Sequence, residues 1–138
     1  MNFPVILIDN KDEYFELLKD GELFLETNFM ALKKQTLLDS YIIDSFGYKY
    51  IIESVKKVKN INPFWKFEFF NPLIQVKIDV EKGKSKVHFK EFKHKLIRIL
   101  KKDPFFWDSG GRLKEKIDII NQSISINEII NLLNEEEI

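Results

Sequence analysis

Alternating and continuous apolar positions predict strands in the first half of the chain. Phe3–Ile8 is a continuous apolar run rich in β-branched residues, which is typical of a buried strand. Leu23–Thr27 alternates apolar and polar positions and predicts a second strand. Leu37–Ser45 and Tyr48–Val58 are two β-rich runs that flank Phe46-Gly47, so we expect a hairpin in which glycine supplies a positive φ.

The central region continues the β pattern. Phe64–Phe70 is a further predicted strand, with Pro63 marking a short edge. Ile74–Glu81 alternates regularly and predicts a half-exposed antiparallel strand, which a turn at Asn71-Pro72 would connect to the preceding one. Together these runs predict an antiparallel, curled β-meander of about four to six strands.

One helix is predicted near the N-terminus. Lys11–Lys19 places Tyr14, Phe15, Leu17 and Leu18 at helical spacing, and Asp20-Gly21 would stop the helix. The pattern at residues 29–35 is ambiguous and is compatible with a single helical turn.

Three helices are predicted at the C-terminal end. Phe89, Phe92, Leu96 and Ile99 form one apolar stripe, and Asp103-Pro104 would end that helix. A second apolar stripe, formed by Leu113, Ile117 and Ile120, predicts the second helix. The third helix is predicted to begin with a Ser125–Glu128 capping box and an Ile124–Ile129 hydrophobic staple.

Strands followed by helices favour the α+β class over an alternating parallel sheet. Residues 1–138 fit a single domain, and 44% hydrophobic residues suffice for a folded core. The absence of cysteine excludes disulfides and thiolate metal sites. No export signal or membrane-spanning run is visible, so we expect a cytoplasmic protein without membrane partners.

The zero net charge conceals an uneven distribution. Residues 1–45 hold nine acidic and four basic side chains, whereas residues 46–103 hold fifteen basic and six acidic ones. Residues 104–138 return to an acidic balance, with seven acidic and three basic side chains. The basic centre is a candidate face for an anionic partner. The simpler alternative is that solvent-facing positions there happen to be lysines.

No catalytic or cofactor motif emerges. His88 and His94 are six residues apart and would face different sides of a helix, which does not suit a shared metal. Ser109-Gly110-Gly111 lacks the spacing and the lysine of a phosphate-binding loop, so a helix N-cap at Ser109 is the better interpretation. We therefore expect no enzyme activity, no cofactor and no metal.

Candidate binding residues lie in the β region. Asp39 and Asp44 flank a short apolar run, where turn and edge polarity is the alternative to partner contact. Lysines followed by an aromatic cluster can bind nucleic acid by phosphate contact and base stacking. The residues in question are Lys56, Lys57, Lys59 and Trp65. Only two arginines occur in the chain, which weighs against this interpretation.

Several runs over residues 20–135 resemble small bacterial immunity proteins of contact-dependent inhibition and polymorphic-toxin systems. The runs that carry the resemblance are Tyr41-Ile42-Ile43-Asp44-Ser45, Gly47, Tyr50, Pro63-Phe64-Trp65, Phe89-Lys90-Glu91-Phe92-Lys93, Phe106-Trp107-Asp108-Ser109-Gly110-Gly111, Ser123-Ile124, Ile126 and Glu128-Ile129-Ile130. None of these residues has a chemically fixed role.

The resemblance implies a cytoplasmic inhibitor that neutralises a cognate toxin domain by direct binding, without turnover. Many such toxins are basic nucleases with acidic inhibitors, and the basic middle of this chain departs from that pattern. Contact would then involve the acidic ends, including Asp39, Asp44 and residues 135–137, or the toxin is of another kind. A nucleic-acid-binding domain that uses segment 56–102 is the alternative function.

Overall fold

The computed structural model describes residues 1–19, 23–28, 37–60, 73–81, 85–108 and 111–136. Its strands are β1 (Val5–Ile8), β2 (Phe15–Leu18), β3 (Phe24–Asn28), β4 (Tyr41–Ile43), β5 (Tyr48–Asn60), β6 (Leu73–Val80) and β7 (Ser85–Lys86). Its helices are α1 (Phe89–Lys102), α2 (Pro104–Trp107), α3 (Leu113–Gln122) and α4 (Ile126–Glu136). The predicted α+β class is confirmed.

All strand pairs described are antiparallel. The order across the sheet is β2-β1-β4-β5-β6-β3, and β7 pairs with β5 beyond that path. The predicted curled antiparallel sheet is present, but its strand order departs from a meander, because β1 lies between β2 and β4 and because β3 pairs with β6. The long-range pairing of β1 with β4 has no local signal in the sequence.

The long strand β5 joins the two halves of the sheet. Its first residues pair with β4, and its later residues pair with β6. Its register shifts between Ile52 and Ser54 and again between Lys57 and Lys59. Irregularities of this kind bend a strand and increase its twist. The sheet accordingly curls into a half-barrel, which confirms the predicted curled sheet.

The predicted helix at Lys11–Lys19 is wrong, because this segment forms a hairpin with β1. Asp9 Oδ1 accepts hydrogen bonds from the backbone N–H groups of Glu13 and Tyr14, at 2.7 and 2.9 Å. These bonds organise the turn that leads into β2. Its residues then pair with β1, and the register runs from Ile8 opposite Phe15 to Val5 opposite Leu18.

The predicted hairpin around Gly47 is confirmed. Gly47 has a φ of +88°, which L side chains rarely adopt, and its N–H donates to the carbonyl of Asp44 at 2.9 Å. A Cβ added there would lie 3.1 Å from Cδ1 of Ile126. Glycine therefore serves both the turn and the close packing of α4 against it.

Each face of the sheet buries its own core. The face toward the helices contributes alternating residues of β1, β2 and β4, which pack against α1, α3 and α4; these include Ile6, Ile8, Phe15, Leu17, Tyr41, Ile43, Phe92, Leu96, Ile99, Ile129 and Leu133. The opposite face of the sheet buries the other set: Val5, Leu7, Leu18, Ile42, Tyr50, Ile52, Ile74, Val76 and Ile78. Strands buried on both sides explain the continuous apolar runs.

The three predicted C-terminal helices are present, and the short helix α2 is an addition. Asp103-Pro104 ends α1 as predicted, but Pro104 then occupies the first turn of α2. The predicted cap of α4 is also confirmed, since Ser125 Oγ accepts from the N–H of Glu128 at 3.1 Å. The predicted staple is wrong, because Ile124 is 83% exposed while Ile129 is buried.

Some predictions lie outside the described residues. These are the strand at 64–70 with its turn at 71–72, the ambiguous segment 29–35, and the N-cap at Ser109. No helix in the described part of the chain is long and apolar enough to cross a membrane.

Candidate functional site

Asp44, a predicted partner-binding residue, is buried and fully engaged inside the protein. Its Oδ1 accepts hydrogen bonds from the N–H groups of Phe46 and Tyr48, each at 3.0 Å. Its Oδ2 accepts from the backbone and the side-chain amide of Asn2, each at 3.2 Å. The residue has no exposed surface. Asp44 therefore organises the β4–β5 turn and fastens the N-terminal segment to it, and it is not accessible to a partner.

Asp39 remains accessible, as a partner-binding residue must be. It lies in the turn before β4 with a φ of +66°, a conformation that aspartate tolerates better than most residues. Its exposure and its turn position fit both the binding interpretation and the simpler one of turn polarity. Asp39 and Asp44 thus have separate environments and form no joint site.

The predicted lysines of β5 are exposed, but they divide between the two faces of the strand pair. Lys56 is the cross-strand partner of Lys77, and Lys59 that of Gln75, so these lysines share the outer face. Lys57 instead lies opposite Val76, on the other face. We name Lys56, Lys59 and Lys77 the basic strip. Trp65 lies outside the described residues.

The two histidines lie at the surface and do not form a common site. His88 is the N-cap residue of α1, and His94 lies farther along the same helix; both are exposed. Among the described residues, no group of histidine, aspartate and glutamate side chains could hold a metal ion.

A partly buried polar cluster centred on Tyr41 links the sheet to α1. The hydroxyl of Tyr41 donates to Asp12 Oδ1 at 2.9 Å and accepts from Lys95 Nζ at 2.6 Å. Burial, followed by the hydrogen bond to Asp12, raises the pKa of Tyr41 far above its usual value. The phenol therefore stays protonated, and the stability linked to it is complete below its ordinary pKa and declines only as the solution becomes more alkaline.

A group of exposed aromatic side chains was not predicted as a site. Phe105 is 95% exposed, Phe106 56% and Tyr14 38%, and we call these three residues the aromatic ridge. The ring of Tyr14 lies edge-on to that of Phe106, with centroids 6.0 Å apart. The ridge thus unites the β1–β2 hairpin with α2. Exposed aromatic groups in contact with each other mark binding surfaces more often than isolated apolar residues do.

Trp107 anchors the ridge to the core. Its indole ring stacks on Phe15 with centroids 4.6 Å apart and an interplanar angle of 15°. It also stacks on Tyr14 at 5.8 Å and meets Phe106 edge-on at 5.1 Å. The buried indole therefore contacts two of the three ridge side chains directly and fixes their orientation.

Helix α2, which carries the two phenylalanines, is fixed at both ends. The Asp103 side chain accepts from the N–H of Phe106 at 3.2 Å, and Pro104 supplies a φ suited to the first turn. After the helix, Asp108 Oδ1 accepts from the N–H of Leu113 at 3.2 Å, which connects α2 to the start of α3. A four-residue helix has little stability by itself, so these caps and the indole anchor hold its geometry.

Charged side chains border the ridge. Lys102 Nζ forms an ion pair with Glu13 Oε1 at 3.0 Å, and both side chains are about half exposed. An ion pair this exposed contributes little stability. Its position beside Tyr14 instead gives the ridge a polar border, and an apolar centre with a charged rim is the usual anatomy of a protein interface.

A second apolar surface lies beside the start of α1. Phe46 is 59% exposed and Ile124 is 83% exposed, and both line an open groove of about 810 Å³ between the β4–β5 turn and the start of α4. Among the described residues, neither side chain contacts a buried aromatic ring in the way that Tyr14 and Phe106 contact Trp107. The aromatic ridge is therefore the better-organised surface.

Compared with protein families, curated proteins and solved structures, the chain gives no match.

Proposed function

We propose that this chain is a protein-binding inhibitor of the immunity type, which neutralises a toxin domain by covering part of its surface and performs no chemistry itself. The single observation that carries the proposal is the aromatic ridge, in which Trp107 contacts Tyr14 and Phe106 while Phe105 remains 95% exposed. The resemblance found in the sequence supplies the class of partner.

Physical arguments support the ridge as the centre of such an interface. Aromatic side chains bury a large area for few rotatable bonds, so their immobilisation costs little entropy on binding. Residues of this kind dominate the binding energy when they enter a pocket on the partner. Tyr14 and Phe106 already contact Trp107, so part of the side-chain ordering cost is met before the partner arrives.

The ridge predicts a large loss of affinity when its most exposed side chain is truncated. We expect Phe105→Ala to weaken binding of the toxin domain about 30-fold, because an interface hot spot is worth ~2 kcal/mol. The partner to use is an inactivated toxin domain encoded beside this chain, with calorimetric titration as the measurement. Co-expression with the active toxin should show a parallel loss of growth protection.

Phe46→Ala is the matched control, because it removes another exposed phenylalanine that lies in the groove rather than on the ridge. We expect Phe46→Ala to bind as the unsubstituted chain does. If Phe105→Ala keeps full affinity while Phe46→Ala loses it, the groove is the interface and the ridge assignment is wrong. If the adjacent toxin domain does not bind the unsubstituted chain at all, the proposed function itself fails.

Nucleic-acid binding remains the second candidate, and the basic strip is the observation that favours it. Lys56 and Lys77 are direct cross-strand partners, and like charges in that arrangement destabilise a sheet. Among the described residues, neither lysine has a carboxylate within ion-pair distance. An anionic partner would relieve this repulsion, and a phosphate backbone is such a partner.

Lys56→Glu tests the strip through opposite effects on stability and binding. We expect this variant to gain about 0.5 kcal/mol in the free energy of unfolding, because a repulsive cross-strand pair becomes attractive. If the strip binds nucleic acid, the slope of log affinity against log salt should also become shallower by about one phosphate contact. Denaturant unfolding and fluorescence titration at several salt concentrations measure the two effects.

Lys57→Glu provides the control, since it makes the same charge change on the adjacent residue but opposite Val76. It should not reproduce the gain in stability. If the unsubstituted chain does not bind DNA or RNA even at low salt, the second candidate function is excluded.

A further inference from the structure

A small cavity lies between the sheet and the first half of α1. It encloses about 230 Å³ and is lined by residues of β4, β5, β7 and α1, among them Tyr41, Lys49, Ser85, Lys86, Glu91 and Lys95. That volume corresponds to about eight water molecules, which is below the usual size of a pocket for a drug-like ligand. The occupant must therefore be small.

Three lysines from three different elements line this cavity: Lys49 from β5, Lys86 from β7 and Lys95 from α1. The ammonium group of each lysine lies near an aromatic ring. Lys49 Nζ lies 4.3 Å and Lys95 Nζ 5.0 Å from the centroid of the Tyr41 ring, and Lys86 Nζ lies 5.8 Å from that of Tyr48. Cation–π contacts position a cation without neutralising its charge.

The charges around the cavity do not balance. Lys95 has Asp12 as a partner at 3.6 Å, and Glu91 is the carboxylate in the lining. Within the described residues, Lys49 and Lys86 form no ion pair. Lysines that line a partly enclosed space create a positive potential there, and that potential favours an anion.

We propose that this cavity binds a small phosphate-bearing molecule: an inorganic phosphate or a phosphate monoester with a short organic group. Lys49 and Lys86 would supply the charge, and the Ser85 hydroxyl in the lining is available as a hydrogen-bond donor. The hydroxyl of Tyr41 is already engaged by Asp12 and Lys95, so its role is to position Lys95 at the wall.

The site is separate from the aromatic ridge, since no ridge residue lines the cavity. The inference therefore goes beyond the proposed function and does not depend on it. Phe105→Ala should bind phosphate as the unsubstituted chain does, and loss of phosphate binding should leave the ridge exposed as before. Failure of one proposal can thus be distinguished from failure of the other.

Inorganic phosphate is the probe for the test, added at 5 mM at constant ionic strength, with phosphorus NMR line broadening for binding and thermal unfolding for stability. We expect a dissociation constant on the order of 1 mM and a rise of about 3–5 °C in the unfolding midpoint. Lys49→Gln and Lys86→Gln should each weaken binding at least tenfold. Lys49→Arg, which keeps the charge, should bind within a few-fold of the unsubstituted chain.

Lys90→Gln is the matched control, because Lys90 is an exposed lysine of α1 outside the cavity lining. It should retain full phosphate binding, which also separates site binding from the general stabilising effect of phosphate salts. Equal responses from Lys49→Gln, Lys86→Gln and Lys90→Gln, or no response of the unsubstituted chain up to 20 mM phosphate (about twenty times the expected constant), would overturn the proposal. Two variants on different strands ensure that a folding defect in one does not leave the question open.

A three-carbon phosphate monoester distinguishes the two sources of the phosphate group. Tighter binding of the monoester than of inorganic phosphate identifies an organic phosphate as the occupant. Equal or weaker binding identifies the free anion.

Discussion

Asp44→Ala is expected to lower the free energy of unfolding by about 3–4 kcal/mol, because buried hydrogen bonds to a charged acceptor are costly to remove. The carboxylate accepts from Phe46 and Tyr48 on one oxygen and from Asn2 on the other. Its loss leaves these N–H groups buried without an acceptor. It also frees the N-terminal segment, which leads into the central strand β1.

Asp44→Asn refines the test, because the amide keeps one acceptor oxygen but presents an N–H₂ group to a donor. We expect a loss of about 2 kcal/mol, intermediate between the wild type and the alanine variant. Asp39→Asn, an identical change at an exposed turn residue, should leave the unfolding midpoint unchanged. Urea denaturation followed by circular dichroism measures all three. Similar midpoints for Asp44→Asn and Asp39→Asn would contradict a structural role for Asp44.

The comparison of the two aspartates also shows why the sequence could not reveal which of them is accessible to a partner. Asp39 precedes and Asp44 follows the same short apolar run, and both are polar residues typical of turns. What separates them is the position of Asn2, which reaches Asp44 only because β1 pairs with β4. A contact between residues 42 positions apart has no local signal.

Elements with a strong local pattern were predicted correctly. The apolar stripe of α1, the glycine turn of the β4–β5 hairpin and the serine cap of α4 all depend on neighbours within a few residues. The Lys11–Lys19 segment was mispredicted because four apolar positions in a short window fit a helix and a strand equally well. The segment forms a strand because it pairs with β1, and side chains on both faces of β2 are buried in a hydrophobic core.

The aromatic ridge was missed for a related reason. Phe105, Phe106 and Trp107 are consecutive aromatic residues, and composition alone assigns all three to the core. In the folded chain only Trp107 is buried, because the short helix α2 turns one side toward Phe15 and the other toward solvent. A helix of four residues has too little periodicity to reveal which side faces inward.

The dependence of the ridge on one buried indole leads to the second large effect. Trp107→Ala is expected to lower the free energy of unfolding by about 3–5 kcal/mol, the usual cost of deleting a large buried aromatic side chain. The variant loses the stack on Phe15 and the contacts with Tyr14 and Phe106. It should therefore lose partner binding as well, even under conditions in which most molecules remain folded.

Trp107→Phe separates anchoring from mere burial. A phenyl ring can keep the stack on Phe15, and it removes the indole N–H, which has no hydrogen-bond partner among the described protein atoms. We therefore expect a loss of only about 1–2 kcal/mol and nearly unchanged partner affinity. Phe105→Ala should show the reverse, with normal stability and weakened binding, because its side chain contributes almost nothing to the folded core. If Trp107→Ala unfolds at the wild-type denaturant concentration, the indole does not anchor α2, and the ridge loses its claim to be a preorganised surface.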